Sequence, residues 1–264
     1  MADWPPLSTG KWKLARRLQT AKGRESAGAL LAEGPQAVRE ALAWALVRQV
    51  IVGPDATAAS LELARAAELG GVPVVLADAP QMSQLTDTQH GQGIVAVVAL
   101  PVASLDEVVN PRLVLILDQV RDPGNLGTLM RTADAFGADA VVATTGSAEP
   151  WAPKAVRASV GAVFHLPVIT GVTFEDATSW AKNAGLMVLA AAAGGVPLPA
   201  LSELASPVAW AVGNEAAGLP DAHLALADQV VAVPMWGKAE SLNVAAAAAI
   251  CMYQTAAAQR RAVE

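Results

Sequence analysis

The chain has 264 residues, of which 53% are hydrophobic and 16% are charged, and its formal net charge is −6. This length fits one large domain or two ordinary ones, and so apolar a composition excludes an intrinsically disordered protein. The longest uncharged apolar stretch, residues 185–201, is too short to span a membrane and is broken by glycine and proline. We therefore expect a globular protein with no membrane association.

Residues 1–105 are predicted to form a small α/β domain, because short apolar runs alternate with helical spacing. Gly34-Pro35 opens the first predicted helix, and Gly70-Gly71 closes the second. In chain order the predicted elements are helix 28–44, strand 47–53, helix 57–71, strand 72–77, helix 79–87 and strand 93–100, followed by a linker at 101–112.

Residues 106–264 are predicted to form a second domain with strands and helices in regular alternation. This order predicts an α/β fold with a mostly parallel sheet and helices on both faces. In chain order the predicted elements are strand 113–120, turn 121–125, helix 126–137, strand 138–144, helix 154–162, strand 163–169, helix 173–185, strands 186–192 and 207–213, helix 219–227, strand 229–235 and helix 241–261.

The cysteine content and the amino-terminal sequence favour the cytoplasm. The single cysteine, Cys251, cannot form an internal disulfide, which suits a reducing compartment. Residues 1–17 carry charge but no apolar segment typical of a secretory signal peptide. We therefore expect a cytoplasmic protein in which Cys251 is a small, buried hydrophobic residue.

Three loops that follow predicted strands are rich in glycine and small polar residues: 121–127, 213–220 and 234–243. Ligands of open α/β sheets bind outside the carboxyl ends of the strands. Glycine-rich loops leave backbone groups free and let a ligand approach closely. Any one loop is explained by turn formation alone, but three such loops predict a shared ligand site.

Several familiar chemistries have little support. The loops match neither the dinucleotide fingerprint nor the phosphate-binding loop, and no serine lies in a nucleophile elbow. His90, His165 and His223 lack metal-ligand spacing, so we expect structural histidines and no metal.

A basic run at residues 11–24 contrasts with the acidic whole. It contains Lys11, Lys13, Arg16, Arg17, Lys22 and Arg24 and no acidic residue, and Trp12 lies within it. Such a run is either a contact surface for a polyanion or a solvated helix face, and the sequence leaves both interpretations open.

The three loops resemble the ordered motifs of the TrmH-type branch of the SpoU–TrmD (SPOUT) methyltransferase superfamily. The similar segments are DPGNLGTLMRTADAFG (122–137), VGNEAAGL (212–219) and VPMWGKAESLNVAAA (233–247). LLAEGPQAVREAL (30–42) and TDTQHGQGIVAVV (86–98) are similar to the family's substrate-binding domain, which resembles ribosomal protein L30e. Ala216-Ala217 and Ala245 depart slightly from the commoner motif residues.

The resemblance implies an enzyme that methylates a ribose 2′-oxygen in RNA with S-adenosylmethionine. It also implies a homodimer and a carboxy-terminal trefoil knot. Knots are so rare that sequence patterning alone would argue against the knot. By motif position the polar active-site set is Asn125, Arg131, Glu215, Ser241 and Asn243. The cofactor-binding set is Gly213, Leu219, Val233, Met235 and Leu242. The expected RNA contacts are Lys11, Lys13, Arg16, Arg17, Lys154 and Arg157.

We expect 23S ribosomal RNA as the substrate, and three alternative functions stay open. They are transfer RNA methylation, methylation of ribosomal RNA that protects against an antibiotic, and RNA binding without catalysis. The resemblance also suggests Arg131 as a general base, but a guanidinium is effectively always protonated in proteins. We therefore expect Arg131 to orient the substrate and to stabilise charge.

Overall fold

The computed structural model describes residues 3–86 and 92–262. The chain divides into two compact units: Met1–Pro101 with Trp151–His165, and Val102–Pro150 with Leu166–Glu264. The boundary predicted between residues 105 and 106 stays a prediction. It does not anticipate that Trp151–His165 packs with the first unit. His90 and part of the L30e-like segment 86–98 lie outside the described residues.

The first unit contains a four-stranded sheet in the order β1-β4-β2-β3. Strand β4 pairs antiparallel with β1 and β2, whereas β3 runs parallel to β2. The strands and helices of the first unit are α1 (Thr9–Arg17), α2 (Ala21–Ala27), β1 (Ala29–Glu33), α3 (Pro35–Trp44), β2 (Val47–Val52), α4 (Ala58–Leu69), β3 (Val74–Leu76), α5 (Ala79–Met82), β4 (Ile94–Ala99) and α7 (Pro153–Ser159).

The predicted helical spacing over residues 28–44 is wrong for its first part, because Ala29–Glu33 forms strand β1. All five residues of this strand are buried and pair with β4, so burial on both faces produces an apolar run without alternation. The helix begins at Pro35, as predicted, after Gly34 at a φ of 87°. Such short apolar runs are ambiguous between strand and helix.

Helix α1 closes one side of the first unit. Its amino end is capped by the Ser8 hydroxyl, which accepts from the Lys11 N–H. Ala15 and Leu18 are buried and pack with Leu31 and Ile51 of the sheet. The four basic residues of α1, which are Lys11, Lys13, Arg16 and Arg17, are exposed and therefore lie on the outward side of a helix whose buried residues face a core.

The second unit is built on a six-stranded parallel sheet in the order β10-β8-β9-β5-β6-β7. The predicted parallel sheet is confirmed. The strands and helices of the second unit are β5 (Leu113–Leu117), α6 (Pro123–Ala135), β6 (Ala140–Ala143), β7 (Val168–Thr170), α8 (Phe174–Asn183), β8 (Met187–Pro197), β9 (Val208–Val212), α9 (Asp221–Leu224), β10 (Gln229–Ala232) and α10 (Val244–Arg261).

Helices cover both faces of this sheet, as predicted. Successive side chains of a strand point to opposite faces, so Trp210 lies opposite to Ala209 and Ala211. Ala209 and Ala211 belong to the cluster that contains Phe174 of α8. On the other face the Trp210 indole N–H donates to the Thr255 hydroxyl of α10 over 2.9 Å.

Two predicted boundaries are corrected by local hydrogen bonding. Residues 121–125 do not form a complete turn before the helix, because α6 already begins at Pro123. The Asp122 carboxylate caps it by accepting from the Asn125 N–H over 2.9 Å, and Pro123 suits the first helical position. The strand predicted over residues 163–169 is wrong for its first part. Ala162–Phe164 forms a short 3-10 helix, and the observed strand spans Val168–Thr170.

The predicted trefoil knot stays a prediction. Among the helices of residues 3–86 and 92–262, none combines the length and apolar character that crossing a membrane requires.

Thr255→Val should destabilise the second unit, because it leaves the buried Trp210 indole N–H without an acceptor. Both residues are fully buried. We expect the free energy of unfolding to fall by about 1–3 kcal/mol, measured by urea denaturation with circular dichroism.

The matched control is Thr178→Val, whose buried hydroxyl donates only to the carbonyls of Phe174 and Glu175 in its own helix. Removing that hydroxyl leaves no donor unpaired, so the control should lose less stability. Equal losses in both variants would contradict the importance of the Trp210–Thr255 bond.

Candidate active site

The candidate site lies at the carboxyl ends of β5, β9 and β10. Strands β5 and β9 are adjacent and parallel, with Leu117 opposite Val212 at their ends. The chain leaves β5 toward β6 on one side of the sheet and reaches β10 on the other side after β9. This reversal is a topological switch point, where open α/β sheets bind ligands.

Glu215 joins the loop after β9 to the beginning of α6. One carboxylate oxygen, Oε1, accepts from the Asp122 backbone N–H over 3.2 Å and from the Asn125 side-chain amide over 3.1 Å. The other, Oε2, accepts a longer bond of 3.4 Å from the Arg121 backbone N–H. One carboxylate thus binds two donors of the loop after β5 and one in the first turn of α6.

These donors determine the ionisation of Glu215. Partial burial raises its pKa, but the hydrogen bonds from the Asn125 side chain and from the backbone of Glu215, Asp122 and Arg121 together lower the pKa below its ordinary value of 4.5. At neutral pH the side chain is therefore a carboxylate that accepts hydrogen bonds, and it is not a proton donor.

Asn243 adds the loop after β10 to the same network. Its Nδ2 donates to Asn125 Oδ1 over 3.2 Å, while its Oδ1 caps α10 by accepting from the Ala245 N–H over 2.9 Å. Asn125 is consequently bonded to Glu215 on one side and to Asn243 on the other. The structure brings together these three residues of the polar set, one from each loop.

The loop after β9 folds tightly on its own backbone. Asn214 exchanges two backbone hydrogen bonds with Gly218, and its side chain donates to the Gln119 carbonyl over 2.9 Å. A Cβ added to Gly213 would overlap the Gly218 carbonyl group and lie 2.5 Å from the Leu219 nitrogen. Only glycine fits at position 213.

The residues predicted to bind the cofactor lie in the loops after β9 and β10 and differ in exposure. Leu219 is buried and Val233 is half-buried, whereas Met235 and Leu242 expose 41% and 39% of their surfaces. Apolar side chains beside close-packed backbone form the kind of surface that holds a flat, partly polar ligand.

The side chains of Arg131 and Ser241 are exposed, and neither side chain makes a hydrogen bond within residues 3–86 and 92–262. Arg131 lies on α6 six positions after Asn125, which is about 9 Å along the helix axis. The structure therefore does not bond these two residues to Asn125, Glu215 and Asn243.

The sequence analysis missed a buried polar cluster directly beneath the loops. Asp118 follows β5 and is 2% exposed. Its carboxylate accepts from the Thr144 hydroxyl over 2.9 Å and contacts His223 Nδ1 at 2.8 Å. The His223 ring stacks on Phe174 with centroids 4.4 Å apart. The one available signal was an aspartate ending an unbroken apolar strand.

In the first unit, the candidate RNA contacts on α1 fall into two kinds. Lys11, Lys13 and Arg17 are exposed. Arg16 lies over the Trp12 ring, 5.5 Å from its centroid, and donates to the Gln84 side chain over 3.0 Å. Arg16 is therefore engaged in packing as well as exposed.

Other basic residues of the first unit are held by the protein. Arg24 is 3% exposed and donates to the Leu18 carbonyl over 2.7 Å, so its predicted place in the basic surface is wrong. On α7, Arg157 forms a 3.0 Å salt bridge with the buried Glu33, whereas Lys154 is exposed. Within the described residues no cluster of histidine, cysteine, aspartate or glutamate could hold a metal ion.

Two family models match the chain. Residues 112–253 match the SpoU rRNA Methylase family, and residues 11–96 match the MRM3-like substrate binding domain. Together the matches include all three loops and the whole of α1 beyond Gly10.

Individual relatives match over most of the chain. The 23S rRNA (guanosine(2553)-2′-O)-methyltransferase RlmP of Bacillus subtilis is 37% identical over 92% of this chain and 93% of its own. The AdoMet-bound rRNA methyltransferase from Sinorhizobium meliloti has a TM-score of 0.83 at 29% identity, covering 98% of this chain and 97% of that one. AviRb from Streptomyces viridochromogenes, in complex with AdoMet, has a TM-score of 0.83 at 26% identity, covering 97% and 100%. On these matches, the chain belongs to the SpoU rRNA methylase family.

Proposed function

We propose that this protein transfers the methyl group of S-adenosylmethionine to a ribose 2′-oxygen in 23S ribosomal RNA. The observation that carries the proposal is the hydrogen-bonded set Asn125–Glu215–Asn243, which joins three family motifs at the switch point of the sheet. The match of residues 11–96 to a substrate-binding domain, and the near full-length similarity to a 23S rRNA enzyme, support ribosomal over transfer RNA.

The loops fit S-adenosylmethionine. Gly213 keeps the turn compact, so backbone groups of the loop can face a ligand, and Leu219, Val233, Met235 and Leu242 supply apolar surface. The bound cofactor supplies a methyl group on a positively charged sulfur, which is already electrophilic and needs no metal.

The polar side chains then have distinct tasks. Asn125 is a positioning residue, because one of its amide donors and its carbonyl oxygen are already bonded within the site. Ser241 makes no such bond and is available for a ribose hydroxyl. The Arg131 guanidinium stays protonated and suits a backbone phosphate or the developing charge on the 2′-oxygen.

Arg131→Ala should lower the methyl-transfer rate by roughly two to three orders of magnitude, as expected for loss of one electrostatic catalytic group. Cofactor affinity, measured by calorimetry, should change little, because none of the residues predicted to bind the cofactor lies on α6. Transfer of labelled methyl groups to 23S rRNA gives the rate. Arg65→Ala, an exposed arginine on α4, is the control. Near-normal turnover in Arg131→Ala would remove Arg131 from the mechanism.

We propose that the exposed basic side of α1 contacts RNA phosphates. Lys13→Ala with Arg17→Ala should weaken RNA binding and reduce the log-affinity versus log-salt slope by about 0.7–0.9 per lost contact. Both side chains are exposed, whereas changing Arg16 would also disturb Trp12.

Filter binding of a ribosomal RNA fragment at several salt concentrations measures this slope. The control is Arg39→Ala with Arg65→Ala, which removes the same charge from exposed positions of α3 and α4. Identical slopes for wild type and the Lys13/Arg17 variant would leave α1 as a solvated helix face.

We further propose a homodimer that uses α10. Ile250 and Tyr253 expose 38% and 57% of their surfaces on one side of this helix, and Tyr253 packs edge-on against Phe136 at 5.9 Å. Phe136 directly follows α6, which carries Arg131. A two-fold interface on this patch would bring Arg131 close to the partner copy.

Tyr253→Glu should raise the dimer dissociation constant at least about tenfold, because it buries a charge in the interface. Light scattering over a concentration series measures this constant. Asn183→Glu places the same charge on an exposed position of α8, on the other face of the sheet, and should have little effect. A monomer mass for the wild type at micromolar concentration would overturn the proposed dimer.

A further inference from the structure

The first unit contains a groove of about 400 Å³ beside α1 that shares no residue with the candidate active site. This volume lies within the range of ordinary ligand pockets, roughly 300–1,000 Å³. Residues of α1, α2, three strands (β1, β2 and β4) and the segment before β3 contribute to it. The lining includes Lys11, Leu14, Leu18, Ala27, Arg48 and Gln49.

The groove combines an apolar lining with two cationic side chains. Leu14, Leu18, Pro73 and Val97 offer flat apolar contact, whereas Lys11 and Arg48 are exposed. The Arg48 guanidinium donates to the carbonyls of Ala27 and Gly28 over 2.9 and 2.7 Å. These bonds fix the position of a positive charge at the groove and leave further N–H donors unused.

Gln49 carries an unmet hydrogen-bonding requirement at the same place. Its Nε2 is buried and has no hydrogen-bond partner in the described part of the chain. A buried donor without a partner is costly and rare, and it calls for an explanation. Gln49 is one of the residues that line the groove, so a ligand bound there could supply the missing partner after a rotation of the amide.

We propose that this groove binds one unstacked nucleobase of the RNA substrate. The base contacts the apolar lining, the Gln49 amide bonds to a polar atom on the edge of the base, and Lys11 and Arg48 attract the flanking phosphates. The inference rests on the proposed function, since it assigns the first unit a specific contact with the same RNA. It predicts that single-stranded segments are preferred over continuous duplex, in which bases stay stacked.

Charge and family placement select RNA over other occupants. Two cations at the rim of an apolar groove match a base with phosphates on either side, whereas an apolar peptide would leave both charges unmatched. In a chain of net charge −6, these cations also extend the basic side of α1. All but one of the lining residues fall within the region that matches a substrate-binding domain, residues 11–96.

The test fills the groove from an exposed position. Ala27→Trp, at the end of α2, places an indole in the groove, and Ala21→Trp, at the exposed start of the same helix, is the matched control. Filter binding uses single-stranded RNA decamers of each base and a blunt RNA duplex. We expect Ala27→Trp to weaken single-strand binding about tenfold, as for loss of one stacked base, and to leave duplex binding within twofold. The Ala21→Trp variant should bind as the wild type does.

Gln49→Met separates recognition from folding, because methionine keeps the length and removes the amide. It should weaken single-strand binding without lowering the urea midpoint, since the amide nitrogen has no hydrogen-bond partner to lose among the described residues. A lower urea midpoint with unchanged RNA affinity would overturn the proposal and make Gln49 structural. Equal loss of single-strand and duplex binding in Ala27→Trp would also overturn it.

Methyl transfer by the wild type is measured on the same preparations. If the wild type transfers no methyl group, the proposed function is wrong. Failure of the groove appears as unchanged single-strand affinity in Ala27→Trp while the wild type transfers normally. Binding of free nucleoside monophosphates that Ala27→Trp abolishes, without any change in RNA binding, would assign the groove to a small molecule and overturn the RNA proposal.

Discussion

The Glu215 carboxylate is the contact on which the site depends. It accepts from the backbone of Arg121 and Asp122 and from the Asn125 side chain, at the amino end of α6. The positive end of the helix dipole favours a negative charge there, in agreement with the lowered pKa of Glu215. One ionised side chain thereby holds two loops together, and Asn243 attaches the third through Asn125.

This arrangement requires a compact turn after β9, and backbone packing provides it. Gly213 lies so close to Gly218 and Leu219 that no side chain fits, and the Asn214 side chain fixes the turn to the Gln119 carbonyl. Below the loops, the buried pair of Asp118 and His223 supports the start of the first loop. The polar groups that face a ligand are thus held by groups that do not face it, which is the usual basis of preorganisation.

The sequence predicted the parallel sheet, its helices and the order of the three loops, because these follow from hydrophobic periodicity and from local turn residues. It missed strand β1, since a strand buried on both faces has no alternation to detect. The capping of α6 by Asp122 was also missed, and with it the placement of Asn125 in the first helical turn. The burial of Arg24 and the Asp118–His223 contact depend on residues far apart or on packing, which a local pattern does not encode.

The residues suited to catalysis and those suited to RNA binding lie in different units of the chain. The second unit carries the polar residues suited to methyl transfer, whereas the first carries the exposed basic helix and the groove suited to RNA. An acidic protein can bind a polyanion when its positive charge is concentrated in this way. Family membership accounts for the chemistry, and we propose that residues of the first unit select the RNA.

The central claim is that this chain methylates a ribose oxygen of ribosomal RNA. The most direct measurement incubates the purified protein with S-adenosylmethionine labelled in its methyl group and with 23S rRNA from cells lacking this protein. Mass spectrometry of the digested RNA then locates the label. The account predicts label on the ribose 2′-oxygen of one nucleotide, and none when the labelled cofactor is incubated with the RNA alone. Label on a base, or no label in 23S rRNA at all, would contradict it.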